Sequence, residues 1–339
     1  MKIETKHEAN HFNFIRLFAA FLVFYGHAYV LSGREVPHFG LTHELGLFIF
    51  FAISGYLISM SWDLDPSLKR YFAKRALRIF PALIVVVLLS VFVLGPWMTT
   101  LPLNEYFTSS FIWLYLRDIF LYISFYLPGV FEHNHVPNAV NGSLWSLPVE
   151  FFMYILVAIF AQGKKYIKYI VLVVFIIFSI VTIIWARETK EMVVVYGTDL
   201  RQLFIVGTFF WAGAVMYHWN IKRFFSFETF VIGMLFLLFI HQWGSFYSVV
   251  SLFLIPFLVL SFGFSHAHFL KIFNKADYSY GFYIYAFPVQ QSIIYHYPQI
   301  SMLWYLLSGF VITMLFAVLS WHFVEKPMMR LKPKRMIKK

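Results

Sequence analysis

Arg16 and His27 stand eleven positions apart in the apolar run RLFAAFLVFYGHAYV, residues 16–30. An ionisable side chain in a membrane-length apolar stretch is a functional candidate by default, because burying it in hydrocarbon is costly. At about 100° per residue, eleven residues make three turns plus roughly 20°, so both side chains share one helix face. At about 1.5 Å of rise per residue they are separated by roughly 16 Å. Arg16 then sits at the rim, where a snorkelling anchor is the alternative reading. His27 sits in the opposite half of the bilayer, where an interhelical hydrogen bond is the alternative. A partner for the imidazole is offered by NGSLWSLPVEFFMY, residues 141–154. Glu150 lies about seven residues, or roughly 10 Å, inside that segment, and His27 about four residues, or roughly 6 Å, from the outer end of its own helix. The two therefore reach similar depth from opposite chain directions. A carboxylate beside an imidazole fixes its tautomer and raises its basicity, which suits a general base. Pairing of Glu150 with another cation, such as Arg117, is equally open. Pro148 must lie near the helix start or kink it.

KRYFAKRALRIFP places Arg75 and Arg78 three residues apart, on one helix face. Two guanidiniums so placed can clamp phosphate groups, and they serve equally as cytoplasmic anchors. In FFAISGYLIS, Ser54, Gly55 and Tyr56 fall mid-membrane. A Ser-Gly pair permits close helix approach, and it could also line a slot for a thin ligand. HEANH, residues 7–11, has the spacing of a zinc-protease motif, but it precedes the first helix and has no evident third ligand. EHNHVPN offers only a loop pair of histidines. No metal site is expected.

These residues need a membrane scaffold, and the composition supplies one. Of 339 residues 60% are hydrophobic and 13% charged, against about 25% charged in soluble domains. The chain is expected to be an all-α integral membrane protein. The net charge of +11 is concentrated in short loops and in the tail EKPMMRLKPKRMIKK, as in cytoplasmic anchoring rather than nucleic-acid binding. There is no cysteine, which excludes disulfides, thiolate metal sites and a cysteine nucleophile. Apolar segments fall near 13–31, 44–61, 79–96, 105–127, 143–161, 168–186, 202–218, 225–241, 246–263, 279–296 and 303–324. If 105–127 crosses, later basic clusters such as Lys164, Lys165 and Lys168 fall outside. If it does not, they fall inside, as the positive-inside rule requires. That segment also contains Arg117 and Asp118, and is expected to be re-entrant or interfacial. About ten transmembrane helices follow, with both termini cytoplasmic. The loop at 187–201 fits least well, since Arg187, Lys190 and Arg201 fall outside. The first apolar run lacks a cleavage site and is expected to be retained. One domain is expected over 1–339: a helical core, 13–326, and a basic cytoplasmic tail, 327–339.

Taken together, these blocks resemble the acyltransferase 3 family of bacterial integral-membrane acyltransferases, over nearly the whole chain. Arg16 and His27 match its Arg-x10-His arrangement. FFAISGYLIS, RALRIFPA and NGSLWSLPVEFFMY are similar to its next blocks, and DYSYGFYIYAFPVQQ and HFVEKP to its C-terminal ones. One departure is Ala286, where many members carry a histidine, so no role for that second histidine is available. No esterase-like domain is expected after the last helix, and any step such a domain performs would need another protein.

The resemblance implies a multi-pass protein of the bacterial inner membrane that moves an acyl group, acetyl by default, from cytoplasmic acyl-CoA to a hydroxyl of a surface or exported glycan, or of a lipid-linked glycan. It implies His27 as the catalytic residue with Glu150 in its neighbourhood, and Arg16, Arg75 and Arg78 near the donor. Ser54, Gly55 and Tyr56 would border the path of the pantetheine arm. Asn141, Ser143, Trp145, Ser146 and Tyr154 would meet the acceptor. Acyl-CoA is a substrate here, and no tightly bound cofactor is expected. Membrane lipid surrounds the chain, and a homo-oligomer is compatible with it. The rival readings are a transporter for a small anion or lipid-linked sugar, which also uses buried ionisable residues, and a structural subunit of glycan assembly.

Overall fold

The computed structural model describes residues 11–36, 43–265 and 276–333. Twelve helices follow one another among these residues: α1 Phe12–Ser32, α2 His43–Leu64, α3 Leu68–Met98, α4 Leu103–Thr108, α5 Ser110–Leu116, α6 Gly142–Gly163, α7 Ile167–Ala186, α8 Leu200–His218, α9 Phe227–Ile240, α10 Gly244–Gly263, α11 Ser279–His296 and α12 Met302–Arg330. A two-residue hairpin pairs Val194–Val195 with Thr198–Asp199, and a single bridge joins Thr99 to Val130. The chain is an all-α membrane protein.

Among the described residues eight helices are long and apolar enough to cross a membrane: α1, α2, α3, α6, α7, α8, α10 and α12. The sequence predicts ten crossings. The other two expected segments are helical, but α9 has only 14 residues and α11 is too polar in composition. The polarity of α11 has a structural use. Gln290 donates to the Phe24 carbonyl of α1 at 2.8 Å, Gln291 to the carbonyls of Val136 and Ala139, and Tyr280 to the Ile79 carbonyl of α3. Buried polar groups must find partners, and here they tie a central helix to its neighbours. Segment 105–127 forms no single helix. It is spread over α4, α5 and the 3-10 turn Arg117–Phe120, none approaching the roughly 20 residues a crossing requires.

Small residues set the close helix contacts, as expected where no water drives packing. Gly55 of α2 and Gly213 of α8 face each other's backbones: a Cβ at Gly55 would stand 1.8 Å from the Phe210 carbonyl oxygen, and one at Gly213 would stand 2.2 Å from that of Ala52. Gly46 of α2 abuts the Ala19 carbonyl of α1 in the same way, at 2.4 Å. Beside these contacts Phe48 and Phe209 stack with centroids 3.9 Å apart. Three long helices contain a π turn: Ser90–Leu94 in α3, Thr182–Ala186 in α7 and Trp321–Glu325 in α12. A π turn inserts one residue and rotates the face that follows. In α12 it ends on Glu325, which is buried.

Candidate functional site

A cavity of about 460 Å³ opens among α1, α2, α3, α6, the start of α11 and the end of α12. Its size is that of a small-molecule site. Arg16, Lys74, Arg75, Arg78 and Lys332 line it, together with the carboxylates Glu150 and Asp277. Its other end is bounded by Leu47, Phe50, Ser146 and Tyr283. The cavity thus runs from a cationic region to an apolar end with a few hydroxyls.

The cations differ in how they are neutralised. Arg78 Nη2 lies 2.7 Å from Asp277 Oδ2, and its Nη1 lies 3.4 Å from Glu325 Oε2. Arg16 Nη1 is 3.5 Å from the same Asp277 oxygen. The Ser279 hydroxyl donates to Asp277, and that of Ser320 to Glu325 at 2.9 Å. Lys74 pairs with Asp65 at 2.7 Å. Arg75 touches no carboxylate among the described residues. It donates to Ser61 Oγ at 3.3 Å and lies 5.8 and 5.9 Å from the ring centroids of Tyr154 and Tyr71. Lys332, beyond the end of α12, meets the thioether of Met329 at 3.3 Å and no carboxylate among the described residues. Burial, then the charges of Arg78, Arg75 and Arg16, lower its pKa to about 8, with Asp277 opposing them. A site that lowers the proton affinity of a lysine in this way favours an incoming anion.

Glu150 Oε1 accepts from Ser54 Oγ at 2.9 Å and from the Tyr154 hydroxyl one turn along α6. No hydrogen bond joins it to His27 among the described residues. Arg117, the alternative partner, lies over the Tyr122 ring at 4.3 Å. Of the two open pairings for Glu150, with His27 or with a cation such as Arg117, neither forms among the described residues, and Glu150 instead joins a Ser54–Glu150–Tyr154 group. His27 does not line the cavity. Its ring is 5.5 Å from that of His43 and 5.3 Å from that of Phe287, and its Nδ1 is buried without a hydrogen bond. The Phe287 ring also packs on Gly142, where an added Cβ would come within 2.5 Å of it. His43, Phe287 and Gly142 each lie four residues along their helices from the cavity-lining Leu47, Tyr283 and Ser146. The His27 layer is thus about one turn, roughly 5.4 Å, beyond that end of the cavity.

Other expected site residues divide likewise. Ser54, Ser146 and Tyr154 line the cavity, and Ser146 Oγ is 2.6 Å from the Tyr283 hydroxyl. Gly55 does not line a slot; its face is filled by the Phe210 backbone. Tyr56 is turned toward Tyr217 and Phe264, with centroids at 5.4 and 5.3 Å. Asn141 and Ser143 are buried rather than set at an entrance. Asn141 donates to the Ile284 carbonyl at 2.8 Å and accepts from the Ser143 amide, while the Ser143 carbonyl accepts from Tyr283. They anchor the start of α6 on α11. Trp145 is half-buried and off the cavity. Of HEANH, His7 lies outside the described residues, and His11 Nε2 is 2.9 Å from the Ser265 carbonyl oxygen.

Asp277, Glu325 and Lys332 were not expected in the site. Asp277 and Glu325 fall in the blocks DYSYG and HFVEKP, where an acid at the edge of an apolar segment is the available signal. Lys332 is one of many basic tail residues, and no spacing sets it apart.

The family model for the Acyltransferase domain matches residues 10–322. The chain is 34% identical over 334 residues to an O-acetyl transferase of Shigella phage Sf6, covering 94% of this chain and 96% of that one. It is 34% identical over 157 residues to Nodulation protein 10 of Rhizobium leguminosarum bv. viciae, covering 43% and 42%. It is 28% identical over 178 residues to the peptidoglycan O-acetyltransferase OatA of Listeria monocytogenes, covering 46% and 27%. No solved structure matches the chain.

Proposed function

The chain belongs to the acyltransferase 3 family, as a multi-pass membrane acyltransferase, and from that premise we propose that it is an O-acetyltransferase carrying acetyl from cytoplasmic acetyl-CoA to a hydroxyl of a surface or exported glycan. The observation that carries this reading is the cavity, cationic at one end and ending one turn short of His27. In this reading ten helices cross a bacterial inner membrane and both termini are cytoplasmic. The phosphates of acetyl-CoA lie in the cationic region, and the pantetheine arm runs along the cavity past Ser54 and the Glu150–Tyr154 pair. The acceptor approaches His27 from the opposite side.

The imidazole takes the proton of the sugar hydroxyl as its oxygen attacks the thioester carbonyl. The carbon–sulfur bond breaks, the ester bond forms, and the proton passes to the departing thiolate to give free CoA. Transfer by way of an acyl-imidazole balances equally, with the hydroxyl entering in a second step. Ser146 offers a hydroxyl at the cavity end, where the thioester oxygen develops charge, and Tyr283, which donates to the Ser143 carbonyl, holds it in place.

The test is release of free CoA by the purified full chain mixed with acetyl-CoA and a glycan acceptor. Release should depend on the acceptor. It should fall by a factor of at least about 10² in His27→Ala, the lower bound for losing a general base, with expression unchanged. Near-normal turnover in that variant removes the mechanism. Accumulation of substrate in sealed vesicles without CoA release replaces the enzyme by a transporter. Mass spectrometry of surface polysaccharide with and without the protein identifies the modified sugar.

A further inference from the structure

The five cations of the cavity are not equivalent. Arg16 and Arg78 already face Asp277, and Arg78 also faces Glu325; Lys74 faces Asp65. Arg75 and Lys332 line the same cavity with no carboxylate contact among the described residues. Arg75 Nε is buried without a hydrogen bond, and among the described residues the Lys332 ammonium meets a thioether, a weak acceptor. Two cations brought together without counter-charge cost free energy that an incoming anion recovers.

We propose that Arg75 and Lys332 are the phosphate receptors of this cavity, and that Arg16 and Arg78 are committed to the ion-pair cluster that holds the bundle together. The assignment rests on the acyl-CoA reading for the identity of the ligand, a phosphate ester, but not for the location of the receptors. It gives the basic tail a part in the site, because Lys332 lies past the last helix and reaches back to α3.

The assignment has a thermodynamic signature that a purely structural tail residue lacks. Lys332 lies outside the membrane-spanning helices, and its pKa is lowered to about 8. The charged groups facing it are Arg75 and Arg78 of α3, Arg16 of α1 and Asp277 before α11. Lys332, whose ammonium holds its proton less tightly than a free lysine, is the group that gains a proton when a phosphate arrives. At pH 8 a share of the molecules lacks that proton, so binding should be accompanied by net proton uptake.

Calorimetric titration of the full chain with CoA, in two pH 8 buffers of different ionisation enthalpy, measures both affinity and uptake. Wild type should show the uptake. Lys332→Gln should bind about tenfold more weakly or worse, as expected for losing a charged hydrogen bond, and show none. Arg75→Gln should lose affinity to a similar degree. Arg330→Gln, an exposed residue of the same helical end that does not line the cavity, should leave both quantities unchanged. An unchanged melting temperature in Lys332→Gln separates binding from folding. Unaltered CoA affinity and uptake in Lys332→Gln overturn the assignment while leaving the donor reading intact. Lys332-dependent binding of pyrophosphate with no binding of CoA upholds the receptors and overturns the donor.

Discussion

Asp277 stands 2.7 Å from Arg78 and 3.5 Å from Arg16, so a single carboxylate joins α1 and α3 to the start of α11. The carboxylate is buried, and Arg78 keeps about a fifth of its side chain exposed, at 22%. Removing one member of a buried pair strands the other charge, at a cost of about 3–5 kcal/mol. Asp277→Asn should therefore lose stability near the lower end, about 3 kcal/mol, given the water at Arg78. Its melting temperature in detergent should drop by several degrees, and Arg78→Gln added to it should cost far less than in wild type. Independent, additive losses would show that the two side chains do not act as a pair.

Gly55 fixes the approach of α2 to α8. The Cβ of an alanine there would sit 1.8 Å from a backbone oxygen of Phe210. Backbone cannot swing aside as a side-chain tip can, so the helices must separate. Overpacking of this kind costs about 1–3 kcal/mol. Gly55→Ala should lower the melting temperature, whereas Gly244→Ala, where nothing lies within 4 Å, should not. Equal melting temperatures for the two variants would remove the close contact from the account of the fold.

The contrast between Ser54 and Gly55 shows how far the sequence could be read. A Ser-Gly pair in a hydrophobic run signals close approach or a ligand path, and the pattern alone does not assign each residue to one. In the structure neighbouring residues, about 100° apart around the helix, divide the two roles: Ser54 meets Glu150 and Gly55 meets Phe210. The long apolar helices and the broken segment at 105–127 were legible, because length and charge suffice to find them. The site at Asp277 and Glu325 was not. Their partner Arg78 lies 199 and 247 residues away along the chain, and the π turn ending at Glu325 shifts the helical register on which a face argument depends. The depths of His27 and Glu150 were matched along the membrane normal alone. Lateral packing decides contact, and it gave Glu150 to Ser54 and Tyr154.

That grouping predicts coupled kinetics. Tyr154→Phe removes a hydrogen bond to a carboxylate, an interaction of about 1.5–3 kcal/mol. If the three side chains work as a unit in the acyl-transfer step, Tyr154→Phe should lower kcat/KM by about tenfold or more in wild type and much less in a Glu150→Gln background. Ser54→Ala should behave in the same way. Losses that multiply freely across the pairs would dissolve the unit.

Asp65 provides a pH test outside the membrane-spanning helices, in the turn between α2 and α3. Hydrogen bonds from Arg70 and then Lys74 hold its carboxyl well below the usual carboxylate range. Arg70 Nε lies 3.0 Å from both oxygens. A depressed folded-state pKa means that the unfolded chain binds the proton first, near pH 4, or about 3.9 for a free aspartate. The stability that Asp65 contributes is therefore fully present above about pH 4 and is lost as pH falls through the folded-state value. Asp65→Asn carries no titrating group, so it should melt below wild type at pH 6 by a margin that narrows steadily on acidification below about pH 4. Melting temperatures of both proteins in the same detergent between pH 6 and the acid limit of folding measure that margin. A gap that stays constant with pH would mean that the amide fails for reasons of packing, and that the charge of Asp65 does not hold this turn.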